Sequence, residues 1–187
     1  MAQKRKDWNG LISGFKASDL VFLDESGCNT DMTRRYAYSL GGSRAVDSAP
    51  LSKPKNTTIL SSIQLDGTLR YTTFSGGTTV ERFKRYLETD LLPHLNGNSV
   101  LIMDNMKSHY AKAVKNLLDS SGVRYIYLPP YSPDLNPIEK LWSKVKAFLR
   151  KFKARTLDAL PNAIQNAFHS VTVSDCSGWF RFCGYAL

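Results

Sequence analysis

The sequence predicts an α/β fold: a mixed sheet that begins as an antiparallel meander and continues as alternating helices and strands, with helices on both faces. Three observations carry this. Leu20-Val21-Phe22-Leu23, Ser99 to Met103 and Val123 to Leu128 are short apolar runs of strand length. Two strand-like segments flank Asp66-Gly67, a strong hairpin signal. After Gly76-Gly77 helical spacing appears and alternates with the remaining apolar runs, the pattern of a sheet covered by helices.

In chain order, residues 1–18 read as an N-terminal extension and 19–187 as one domain. Met1 to Lys6 is basic, but Asp7-Trp8-Asn9-Gly10 stands where a signal peptide needs its apolar segment. Asp19 to Leu23 is a buried strand ending at Asp24, and Asp24-Glu25-Ser26-Gly27 suits a turn, with Asp first and Gly fourth. Arg35 to Leu40 can form a second strand, and Thr57 to Leu65 pairs with Leu69 to Phe74. Val80, Phe83, Leu87 and Leu91 have helical spacing, with Pro93 past the end. Ser99 to Met103 ends at Asp104, residues 109–119 form a helix stopped near Gly122, and Val123 to Leu128 follows. Four prolines stiffen the loop from Pro129 to Pro137, where a long helix starts. Ile138, Leu141, Trp142, Val145, Phe148, Leu149 and Phe152 make its apolar stripe.

Composition narrows the function. At 187 residues, 42% hydrophobic and 22% charged, the chain fits one globular domain with its own core. No apolar run approaches the roughly 20 residues needed to cross a bilayer, so an intracellular protein with no membrane partner is expected. Cys28, Cys176 and Cys183 form no CxxC pair and read as buried or incidental thiols. Gly41-Gly42 and Gly76-Gly77 lack the Gly-Lys-Ser/Thr of a phosphate loop, so no ATP is expected. Residues 140–155 hold seven cations and no acid, a net +7 that leaves +2 for the rest of a chain at +9. Such a concentrated patch suits either a polyanion or a solvated helix face.

Three acids stand out. Asp24 and Asp104 each follow a buried strand, where active sites of mixed sheets lie. Glu139 sits in the first turn of the last long helix, beside its apolar stripe. Each has a plainer role when taken singly: a turn residue, a cap, and, for Glu139, a capping box with Asn136. Together, three carboxylates on separate segments suit two magnesium ions, which cleave a phosphodiester by clamping its attacking and departing oxygens. Lys146, Arg150 and Lys153 follow Glu139 on its side of the helix and are candidate DNA-backbone contacts. Among the rivals, Glu25 should point to the opposite sheet face, Asp134 reads as a turn residue, and His109 as structural or approaching the site.

Leu23-Asp24-Glu25-Ser26-Gly27, Met103-Asp104-Asn105 and the string Leu128-Pro129-Pro130-Tyr131-Ser132-Pro133-Asp134-Leu135-Asn136-Pro137-Ile138-Glu139 resemble the DDE transposases of the mariner superfamily, in their bacterial insertion-sequence branch. The 34 residues between Asp104 and Glu139 match the spacing typical of that superfamily, and Gly178-Trp179-Phe180 continues the likeness towards the C-terminus. The resemblance implies a ribonuclease-H-like fold and a metal-binding triad of Asp24, Asp104 and Glu139. It implies Mg2+, or Mn2+ in its place, at two ions per site. It implies cleavage at transposon ends and strand transfer of the freed 3′-hydroxyl into target DNA, at TA dinucleotides. A homodimer on DNA is expected. Family members carry helix-turn-helix domains before the catalytic domain, whereas only 18 residues precede the first strand here. A separately encoded DNA-binding part, or a truncated copy, is therefore expected. A nuclease without strand transfer and a non-catalytic DNA-binding remnant are the alternatives.

Overall fold

The computed structural model describes residues 2–34, 36–51 and 54–185. Its strands are β1 (Leu20–Cys28), β2 (Thr57–Ile63), β3 (Leu69–Ser75), β4 (Val100–Met103) and β5 (Arg124–Tyr127). They form one sheet in the order β3-β2-β1-β4-β5. β1 is antiparallel to β2 and parallel to β4, and β4 is parallel to β5. This is the ribonuclease-H-like mixed sheet expected from the sequence.

Among the described residues six α-helices flank it: α1 (Ala2–Ile12), α2 (Val80–Tyr86), α3 (Lys112–Ser121), α4 (Ile138–Phe152), α5 (Ala159–His169) and α6 (Val173–Phe182). Alternation along β1 and β4 divides the core in two. Leu20, Phe22, Val100 and Ile102 pack with residues of α4, α5 and α6, while Val21, Leu23, Leu101 and Met103 pack with residues of α2 and α3. Helices therefore cover both faces. Trp8 of α1, within the stretch read as an extension, is buried in the first of these cores. The three cysteines are free and buried, as their sparse pattern suggests.

The β2–β3 hairpin turns at Asp66-Gly67, where Gly67 takes φ +89° and the Asp66 carboxylate accepts from the Thr68 N–H at 2.8 Å. A side chain at Gly67 would also meet Val173 of α6, with its Cβ 3.1 Å from Cγ2. Gly122 ends α3 at φ +71°, the left-handed cap that glycine adopts without strain.

Two expectations are corrected. β1 does not turn at Asp24 but continues to Cys28, because β2 pairs with it from Phe22 to Cys28 and satisfies the backbone that a turn would have to satisfy locally. Residues 36–40 form no strand, and Arg35 lies outside the described residues. Tyr36, Tyr38 and Leu40 are exposed; strand-forming residues gain their preference from a face they bury, and these bury none.

Candidate active site

The parallel register decides where the two aspartates sit. Leu23 pairs with Met103 at the end of β4, so Asp24 and Asp104 are the next residues on adjacent strands. By alternation both belong to the face of Phe22 and Ile102, the face covered by α4. α4 supplies the third acid. Ile138, Leu141, Trp142, Val145 and Leu149 are buried and seat the helix on the sheet, leaving Glu139 on the neighbouring flank, where it lines the cleft described next. Phe152, read as the end of the stripe, is instead half exposed and stacks on Phe148 with ring centroids 6.0 Å apart.

Asp24, Asp104 and Glu139 line one cleft of about 450 Å³ with Asn105 and the proline loop. Sequence alone left Glu139 a capping role, but that box does not form. The helix has no side-chain cap, and the Asn136 Oδ1 is buried without a hydrogen-bond partner. The loop is anchored by Asn105, whose Nδ2 donates to the Leu128 carbonyl at 2.6 Å. Tyr131 stands at the rim, exposed and held at φ +55°, a conformation that non-glycine residues adopt at some energetic cost.

The carboxylates have unlike surroundings. Asp24 Oδ2 accepts from the Trp142 indole N–H at 3.1 Å, and Oδ1 from the Glu25 backbone N–H at 2.8 Å. Burial, helped by the charges of Glu25 and Asp104, nevertheless pushes its pKa up to about 7. Asp104 Oδ1 accepts from His109 Nδ1 at 2.9 Å and from the Met106 N–H at 2.9 Å. Burial opposes ionisation of Asp104, but these hydrogen bonds and the charge on His109 outweigh it and hold the carboxyl below its usual range. Among the described residues no three of His, Cys, Asp and Glu are drawn together tightly enough to enclose an ion. Asp24, Asp104 and Glu139 thus share a cleft without meeting at one point.

Of the cations read as DNA contacts, Lys146 and Arg150 line a second cleft of about 830 Å³, with Gly27 and Cys28 at the end of β1 and with Arg34. Lys146 follows Trp142, whose indole meets Asp24, one turn further along α4, and Cys28 ends the strand that carries Asp24. Lys153 is placed differently. It caps the helix at φ +55°, and its Nζ donates to both Asp47 oxygens at 2.8 and 2.6 Å. Lys144 pairs with Asp175, Arg155 donates to the carbonyls of Thr30 and Met32, and Lys140 lies over the Phe182 ring. Four of the seven cations in this segment thus have partners within the fold.

Sequence reasoning passed over Trp142 and Glu25. Trp142 belongs to the apolar stripe, and its indole N–H, which needs a partner when buried, was the unused signal. Glu25 does point to the opposite face, and there it meets His109.

Residues 19–161 match the family described as DDE superfamily endonuclease. The Tc1 transposase of Caenorhabditis elegans is 29% identical over 97 residues, which are 50% of this chain and 36% of that protein. The Tcb2 transposase of Caenorhabditis briggsae is 31% identical over 75 residues, 40% of this chain and 28% of that protein. The chain thus covers about a third of the length of each of these relatives. Among solved structures, the Mos1 transposase paired-end complex with left transposon end superposes at TM-score 0.80 and 18% identity, covering 95% of this chain and 57% of that one. The catalytic domain of Mos1 mariner transposase superposes at 0.73 and 16% identity, covering 96% and 85%. These likenesses show the fold.

Proposed function

The chain belongs to the DDE superfamily endonucleases, and we propose that it is the catalytic part of a cut-and-paste DNA transposase of the bacterial insertion-sequence branch. The observation that carries this is the register that sets Asp24 beside Asp104, with Glu139 in the same cleft. Residues 19–187 act as one catalytic domain, joined by α1 through Trp8. Recognition of transposon ends falls to a helix-turn-helix part beyond these 187 residues. The active form is a homodimer on DNA, cytoplasmic and at the nucleoid. Among the described residues no helix is long and apolar enough to cross a membrane.

The donor set fits hard divalent cations, since all three groups are carboxylates and Asp24 is desolvated, with no cationic partner among the described residues. Asp24, Asp104 and Glu139 would hold two ions, Mg2+ or Mn2+ in its place. When bound, the ions supply water activation and stabilisation of the leaving 3′-oxygen. The chain's own residues do the rest. Trp142 and the Glu25 N–H orient Asp24, and Lys146 and Arg150 hold backbone phosphates along α4, with Lys153 joining them only if Asp47 releases it. The test is strand transfer of a pre-cut transposon end into supercoiled plasmid with Mg2+. Joined product is expected; cutting without joining would make the chain a nuclease, and neither would make it a remnant.

Asp24 gives the reaction a pH signature. A proton and a metal compete for its carboxylate, and with a pKa near 7 it is mostly protonated at pH 6 and mostly ionised at pH 8. The apparent affinity for Mg2+ is therefore expected to be about tenfold weaker at pH 6 than at pH 8. Magnesium titrations of melting temperature at the two pH values measure this, and equal midpoints would mean that Asp24 does not bind the ion.

DNA binding has its own readout. Replacing Lys146 and Arg150 together by Gln should flatten the slope of log affinity against log salt by up to about 1.8, roughly 0.9 for each phosphate no longer neutralised. It should weaken binding to all duplex sequences alike. An unchanged slope would place the DNA elsewhere.

A further inference from the structure

His109 is wholly buried, yet it bridges the candidate site to a second buried carboxylate. Nδ1 lies 2.9 Å from Asp104 Oδ1, and Nε2 lies 3.2 Å from Glu25 Oε1. Both partners are carboxylates, so both ring nitrogens donate. The ring is held flat against Phe83, with centroids 4.2 Å apart, and its own carbonyl accepts from the Tyr127 hydroxyl at 3.0 Å. The Glu25 side chain is 8% exposed, and its other oxygen, Oε2, has no hydrogen-bond partner among the described residues, so His109 is the group that compensates it. Asp104, by contrast, is 45% exposed in its side chain and would sample several rotamers if unrestrained. Both hydrogen bonds it receives fall on Oδ1, leaving Oδ2 for the cleft.

We propose that His109, anchored from behind by Glu25, is a positioning residue: it locks the carboxylate of Asp104 so that Oδ2 faces the cleft, and thereby sets the site's affinity for a divalent cation. This rests on Asp104 being a ligand of that cation. The arrangement has the form in which an outer hydrogen bond orients a liganding group, here a histidine on a carboxylate rather than the reverse. Glu25 and Asp24 are neighbours in β1 and point to opposite faces, so one strand supplies both a candidate ligand and the anchor for the other.

Two substitutions of similar disruption separate positioning from mere structure. His109→Asn places an amide N–H near the position of Nδ1 and keeps the contact with Asp104. His109→Gln places one near Nε2 and keeps the contact with Glu25. Mn2+ binding to the full chain, followed by the loss of the free-ion electron paramagnetic resonance signal, should weaken by only about threefold for His109→Asn, which loses the Glu25 anchor alone, and by about 10- to 100-fold for His109→Gln. Equal losses, or parental affinity in both, would overturn the proposal. If neither variant melts cooperatively without metal, Glu25→Gln decides, since it keeps the shape and an acceptor oxygen but removes the anchoring charge. An affinity about threefold or more below the parent supports the proposal, and parental affinity overturns it. Asp104→Asn tests the underlying reading separately: if it binds Mn2+ like the parent, Asp104 is not a ligand, and both the proposed site and this role for His109 fall.

Discussion

Replacing Glu139 by Gln is expected to lower Mg2+-dependent nicking and strand transfer by at least about 1,000-fold while leaving the fold intact. Glu139 stands at the start of α4, lines the cleft and makes no cap, so its neutral isostere disturbs no contact the fold depends on. The thermodynamic cost is the loss of a carboxylate at a helix N-terminus, under about 1 kcal/mol. Asp104→Asn is a less clean probe of catalysis. It removes the charge of one of the two carboxylates that face a buried, charged His109, whose pKa burial lowers but whose bonds to Asp104 and Glu25 raise, to about 9. Its destabilisation will exceed that of a surface change, contrary to what a solvent-facing acid cluster would suggest. The measurement for Glu139→Gln is plasmid nicking beside a thermal melt. Parental nicking would remove Glu139 from the site, and a collapsed melt would make it structural.

Replacing Phe180 by Ala is expected to destabilise the chain by about 3–5 kcal/mol. Phe180 lies in α6, beyond the residues 19–161 that match the family, and it is fully buried. Its ring meets Phe22 of β1 edge to face at 5.4 Å and Tyr185 at 6.0 Å, so α6 closes the core directly beneath the strand that carries Asp24. One cooperative transition, shifted down by roughly 10 °C, is expected for a domain of this size. Two separate transitions, or an unmoved one, would show that α6 is an appendage and that the domain ends earlier.

Local chemistry was legible in the sequence wherever it acts over a few residues. The apolar runs of β1, β4 and β5, the Asp66-Gly67 hairpin, the glycine stop of α3 and the stripe of α4 as far as Leu149 depend on side-chain period and turn preference, and each appears where the pattern puts it. The three acids could also be named as candidates in advance, because two follow apolar runs and the third opens a helical pattern.

What needed the tertiary structure was every property set by a partner distant in the chain. Whether β1 turned at Asp24 or ran on to Cys28 depended on β2, which begins only at Thr57. Strand-forming residues at 36–40 stayed out of the sheet, exposed and without a face to bury. Seven cations between 140 and 155 could be counted from sequence. Only the fold committed Lys144 and Lys153 to acids and Arg155 to backbone carbonyls, leaving Lys146 and Arg150 along a cleft. The same holds for His109, which no local pattern distinguishes from a core histidine. Its meaning comes from Glu25, 84 residues away, reached across the end of β4. Periodicity specifies which face a side chain takes, because it is a property of the backbone. Which group waits on that face is fixed by packing, and so the sequence determined the elements and the candidate acids, while the assembled sheet decided their company and their charge.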